Sequence, residues 1–219
     1  MSIAIHLEED DVNSRLAALG LCRTTLLEAV AAGFAAFSNA DPLAPKTFPG
    51  TVAWADTVAR LAALMRPSGW TREDDRNMPF VVRGDGKIAL TVWTGNALTG
   101  NPHRQPNVRA RRGKKTSERV AGNVRQLGLG LAPVSSSKSK EHNWLTWALL
   151  IFRDEVRRRV VSELSLPVSV SPDHKVVGWD ERILLPAIEF DDDHDTGVIL
   201  DGQPDGPEPE IDISIRRRA

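Results

Sequence analysis

Between Asp11 and Ala36 apolar residues recur every three or four positions. The pattern breaks at Gly20 and resumes at Thr24 and Thr25, which predicts two consecutive helices. Glu28 follows Thr25 by three residues, the spacing of a capping box that would open the second helix. Residues 38–50 contain Pro42, Pro45, Pro49 and Gly50 and must be a connection. From Thr51 to Met65 the residues Val52, Ala55, Ala59, Ala62 and Met65 fall on one side of a third helix, which Pro67 and Gly69 end. A helix-turn-helix reading of Leu16, Gly20 and Leu26 is weaker than plain packing, because the second helix would offer base edges Arg23 and little else.

The period changes after Pro79. Phe80–Arg83 and Lys87–Thr94 are short runs rich in Val, Ile, Thr and Trp, joined by Gly84, Asp85 and Gly86, and this predicts an antiparallel hairpin with its turn around Asp85. Trp144–Arg153, Arg158–Val170 and Lys175–Leu185 read as further strands in a meander. Pro167 can sit only at an edge, a bulge or a strand end, so the sheet should bend there. Residues 95–140 between the two strand series are polar and glycine-containing, an excursion with room for one short helix over Thr116–Gln126. The expected fold class is therefore α+β, with N-terminal helices packed on a mostly antiparallel sheet. A single domain would cover residues 1–188, its helical part about 11–66 and its sheet part about 79–188. A solvated, flexible acidic tail over 189–219 would follow, because Pro204, Gly206, Pro207 and Pro209 oppose a core there.

Charge changes the picture more than composition does. The formal net charge of −1 averages two opposed segments. Between Asn101 and Arg125 lie Arg104, Arg109, Arg111, Arg112, Lys114, Lys115, Arg119 and Arg125 against the single acid Glu118, or +8 − 1 = +7. From Glu189 to Asp212 there are ten acids and no Lys or Arg, before Arg216, Arg217 and Arg218. Cations at this density suit phosphate, because neutralising phosphates releases condensed counterions. The basic segment is thus the predicted nucleic-acid-binding site, made of those eight side chains. No aromatic residue lies between Asn101 and Lys140, so base stacking would have to come from Trp93, Trp144 or Trp147.

Other chemistry is thinly represented. The lone Cys22 rules out an intramolecular disulfide and any zinc site needing two thiolates; next to Leu21 in an apolar stretch it reads as a small buried thiol. The chain has no tyrosine, which removes phosphotyrosyl-linked strand chemistry. A metal-dependent hydrolase or nuclease would have to draw on Asp85, Glu163 and Glu181, although Asp85 suits a turn and Glu163 reads better as an ion-pair partner of Arg153 or Arg182. Asp191, Asp193 and Asp195 alternate as in calcium loops, but Thr196 and Gly202 stand where an EF-hand loop needs glycine and glutamate. Arg112–Thr116 lacks the glycine and hydroxyl placement of a phosphate loop, and Ser135/Lys138 and Ser137/Lys140 belong to a Ser/Lys tract. No cofactor fingerprint occurs, and an enzyme is not favoured. No stretch approaches the ~20 apolar residues of a membrane span, and Met1–Asp11 is acidic, so a cytoplasmic protein without a membrane partner is expected. Two partners remain open: nucleic acid through the basic segment, or a basic protein engaged by the acidic tail. The six tryptophans are expected to anchor the helix-to-sheet interface.

Overall fold

The computed structural model describes residues 3–75, 77–108, 114–129, 144–172 and 175–190; of Lys114, Lys115 and Leu129 it describes the backbone alone. Its elements run β1 (Ala4–His6), α1 (Glu9–Ala18), α2 (Arg23–Ser38), α3 (Phe48–Met65), β2 (Thr71–Asp75), β3 (Met78–Val82), β4 (Ile88–Thr94), α4 (Lys114–Leu129), β5 (Leu145–Asp154), β6 (Arg159–Val170), β7 (Val176–Leu184) and β8 (Ile188–Glu189). Seven strands form one sheet in the order β1-β7-β6-β5-β4-β3-β2, and β8 adds to the first residues of β6. The α+β class holds, with helices α1 to α3 covering one face of the sheet. β1/β7 and β4/β5 are parallel, so the sheet is mixed, while the remaining pairings are antiparallel.

Acidic residues Glu9, Asp10 and Asp11 occupy the first turn of α1, where the helix dipole favours them, and Val12 and Leu16 are buried. The helix closes with paired 6→1 and 5→2 bonds, Leu21 N–H to Leu16 O and Gly20 N–H to Ala17 O, each 2.9 Å. In α2 the buried positions Leu26, Ala29, Val30 and Gly33 follow the 3.6 period. The expected capping box does not form. The extended residue before α2 is Cys22, Thr25 already lies inside the helix, and Glu28 pairs instead with Arg60 of α3. Cys22 is exposed rather than buried, its thiol 2.9 Å from Thr24 Oγ1, and that contact lowers its pKa. α3 begins at Phe48, three residues earlier than the sequence suggested, because Pro49 is accommodated in the first turn.

The predicted hairpin is present: Val81 faces Leu90 and Val82 faces Ala89, and Gly86 supplies the left-handed turn residue at φ 66°. The predicted bend is also present, as register shifts between Leu166 and Val170 of β6. Alternation along the strands builds two apolar layers. Leu90, Val92, Trp147, Leu149, Leu164 and Ile183 meet α1 to α3, whereas Trp93, Ala148, Leu150 and Trp179 meet Val120 of α4 and Val108 on the opposite face. The tryptophans therefore serve both layers rather than the N-terminal helix interface alone. The excursion contains a crossover helix, α4, which links the parallel strands β4 and β5 as a parallel pair requires.

β8 and Phe190 extend past residue 188, where the sequence placed the start of the tail. Phe190 donates its backbone N–H to Arg158 O at 3.0 Å and packs on Phe34, ring centroids 4.6 Å apart. Residues 191–219 lie outside the described part. Among the described residues no single helix is long and apolar enough to cross a membrane.

Candidate nucleic-acid interface

The basic segment starts in a tight loop that follows β4. A bridge between Gly95 and Val108 closes it, and Gly95 N–H reaches Ile151 O of β5 at 2.9 Å. Inside the loop Asn96 Oδ1 accepts from Leu98 N–H and Asn107 N–H at 3.2 and 3.1 Å. Asn101 Oδ1 accepts from His103 N–H and Arg104 N–H at 2.8 and 3.1 Å. Asparagine side chains thus take the place of backbone partners in two successive turns.

What holds this loop to the sheet is a buried ion pair. Glu163 of β6 and Arg182 of β7 are 0% and 1% exposed. Arg182 Nε and Nη2 donate to the two oxygens of Glu163 at 3.0 and 2.6 Å, and Ser165 Oγ and Gly100 N–H add bonds of 2.7 Å each. Arg182 Nη1 reaches Arg104 O at 3.1 Å, and Trp179 Nε1 reaches Pro106 O at 3.0 Å. Removing two charges from water is expensive unless their remaining bonding capacity is filled, and here the loop backbone fills it. Loop geometry and ion pair therefore support each other, and Glu163 pairs with Arg182; Arg153 lies on the other face, over Phe34, Phe37 and Phe190.

The eight cations fare differently. Arg104 is exposed and its guanidinium meets no carboxylate among the described residues. Arg125 is likewise exposed and without an acidic partner there. Arg119 corrects the sequence reading: its guanidinium carbon lies 5.2 Å from the Phe80 ring centre and 5.0 Å from that of Trp144, and its Nη2 is bonded to Asp75. With 10% of its side chain exposed, it fixes α4 to the sheet and is not available to phosphate. Lys114 and Lys115 begin α4, while Arg109, Arg111 and Arg112 lie outside the described residues.

α4 is seated by a residue that the sequence did not single out. Asn123, fully buried, accepts from Thr146 N–H at 2.8 Å and donates to Thr146 O and Pro167 O at 2.9 Å each. Its carboxamide bridges β5 and β6 just past Ala148 and Ser165, the last pair of their ladder. Charge counting passes over such a residue; its spacing of three from Val120 on a helical face was the available signal.

The carboxylates proposed for metal-dependent hydrolysis do not converge. Asp85 sits in the hairpin turn, bound by Arg83 Nε and Nη2 at 2.9 and 2.8 Å and by Lys87 N–H at 3.0 Å; chiefly the arginine contact draws its pKa down to about 2. Glu163 and Glu181 face opposite sides of the sheet. Glu181 is held on the helix side by Arg15 Nη2 at 2.7 Å and by His6 Nε2 at 2.9 Å. Among the described residues no group of three or more His, Cys, Asp or Glu could hold a metal ion. Asp191, Asp193 and Asp195 lie outside those residues. Two surface depressions of about 320 and 550 Å³, one beside Trp70 and Arg66 and one between α2 and α3, contain none of the residues put forward from sequence. Comparison with protein-family models, curated proteins and solved structures finds no match to this chain.

Proposed function

We propose that this chain is a cytoplasmic, non-enzymatic accessory or regulatory protein that binds nucleic acid through the phosphates, using the basic segment from Arg104 to Arg125. The supporting observation is the anchoring of its first loop. A solvated charged loop has no need of a buried ion pair beneath it, whereas a binding loop gains affinity when its cations are held in place before the ligand arrives. Arg104 stands on that anchored loop and Arg125 on α4, which follows it. Arg119, engaged with Asp75, Phe80 and Trp144, is excluded from the contact set.

Fluorescence anisotropy with labelled duplex and single-stranded DNA and RNA, across a salt series, tests this reading. The variant carries Gln at Arg104, Arg109, Arg111, Arg112, Lys114 and Lys115. The wild type is expected to bind with log affinity falling against log salt by about 0.9 for each duplex phosphate neutralised, and the variant to lose most of that slope. Unchanged retention of the folded variant on all probes at low salt would remove the proposal.

A further inference from the structure

The β5–β6 turn carries a second set of arginines, 32 or more residues beyond the basic segment in sequence. The 95–108 loop lies against the start of β6: Gly100 N–H binds Glu163 at 2.7 Å, and a side chain at Gly100 would meet Val161 Cβ at 3.4 Å. Val160 is in the helix-side core, so Val161 and Glu163 face the loop, and alternation puts Arg159 on that same face. Two residues of strand, roughly 7 Å, separate Arg159 from Val161 beneath Gly100. Arg153 has the opposite parity and stacks on three phenylalanines, which removes it from this surface.

Of the turn's two carboxylates, Glu155 faces Arg153 at 3.7 Å, which leaves Asp154 to Arg157 and Arg159. Asp154 accepts from Arg157 N–H and from Arg157 Nη1, both at 3.0 Å, and lies 3.9 Å from Arg159 Nε. One carboxylate thus serves two guanidinium groups. Arg157 is 68% exposed on its side chain, and the buried Nε of Arg159 has no hydrogen-bond partner. Glu189 is the cross-strand neighbour of Arg159 on β8, and no ion pair joins them. Glu189, the first of the ten acids, therefore stands beside this patch.

We infer that Arg157 and Arg159 extend the nucleic-acid site, contacting phosphates next to those held by Arg104 on the same face of the sheet. The inference rests on the function proposed above and adds residues that the charge run does not contain. A backbone lying across the loop would meet cations from both chain segments.

The test sets three further variants of the full chain beside the basic-segment variant in the same anisotropy assay on duplex DNA and RNA. Arg157→Gln/Arg159→Gln should lose roughly five-fold or more in affinity at 50 mM salt and flatten the salt slope by about 1.8, or 0.9 for each of two phosphates. Arg157→Lys/Arg159→Lys should keep that slope. Arg60→Gln/Arg66→Gln, which removes the same charge from the helix side, should change affinity by less than about two-fold. If the turn variant, folded by circular dichroism, matches the helix-side control while the basic-segment variant loses binding, the inference falls and the proposed function stands. If the wild type itself retains no nucleic acid, both fall.

Discussion

Glu163 and Arg182 offer the sharpest test of the idea that the loop is anchored rather than merely charged. Arg182→Met leaves a fully buried carboxylate with two of its four donors gone and also strips Arg104 O of its partner. Breaking a buried pair from one side costs about 3–5 kcal/mol, and Glu163→Leu should cost a similar amount. The double variant Glu163→Leu/Arg182→Met removes both charges and leaves Gly100 N–H, Ser165 Oγ and Arg104 O to find water. Gly100 is only half-buried and can rehydrate, so the double should cost well under the sum of the singles, with a coupling of about 3 kcal/mol. Urea unfolding across the four-member cycle measures it. The double variant keeps the net charge of the wild type, so its affinity for nucleic acid reports loop placement alone and should fall, alongside faster hydrogen exchange at the Gly100 amide. Single-variant costs below about 1 kcal/mol, or strict additivity, would refute the anchoring argument.

Gly33→Ala should destabilise by about 1–3 kcal/mol in thermal unfolding, since its Cβ would stand 2.0 Å from Thr57 Oγ1 and 2.7 Å from Ala53 O where α2 crosses α3. Asn123→Ala orphans Thr146 N–H, Thr146 O and Pro167 O and should cost at least about 2 kcal/mol by urea unfolding, whereas a neutral result would mean that water replaces the carboxamide. Because the pKa of Asp85 is lowered from 3.8 to about 2, the turn contacts it supports are fully present above about pH 4 and lost as pH falls through about 2. The Lys87 amide shift should titrate with that midpoint in the wild type and not in Asp85→Asn. Truncation after Phe190 removes nine of the ten acids while sparing the contact with Phe34, leaving the rest of the chain at 25 − 20 = +5; it should strengthen nucleic-acid binding at low ionic strength, with the gain shrinking as salt rises. Equal or weaker binding by the folded truncation would assign the acidic run to another partner.

Elements whose signal is local were legible. The Gly-Asp-Gly turn specified its hairpin, Pro167 marked the bulge, and the 3.6 period located α1, α2 and α3 to within a few residues. Both edge strands of the sheet were missed. β1 has three residues, and β2 reads Thr-Arg-Glu-Asp-Asp, a composition that no propensity scale favours in a strand. Such strands persist because a neighbour supplies their pairing, and a charged edge also discourages pairing with other chains. The parallel pairing of β4 with β5 was equally hidden. About fifty residues separate the two strands, and nothing in either announces which direction its partner runs. That pairing nevertheless decides the fold's second layer, since it forces the chain to cross over and brings α4 onto the face opposite α1 to α3.

Charge density located the segment of interest but could not say which cations are displayed. Arg119 and Arg125 are chemically identical members of one run on one helix. What separates them is rotation. Thr116, Val120 and Asn123 form the buried stripe of α4 at spacings of four and three, and Arg119 adjoins that stripe, so its guanidinium enters the aromatic gap between Phe80 and Trp144; Arg125 points elsewhere. That distinction could have been drawn from the helical period once the helix was taken seriously. The grouping of Arg159 with Arg104 could not have been, because it depends on which face of β6 the loop covers, and a slip of one residue in that strand would have turned Arg159 toward the helices and Val160 toward the loop. Strand parity, set by burying Val160, Leu164 and Leu166 under α1 to α3, is therefore what assigns an arginine fifty-five residues away to the surface that begins at Arg104.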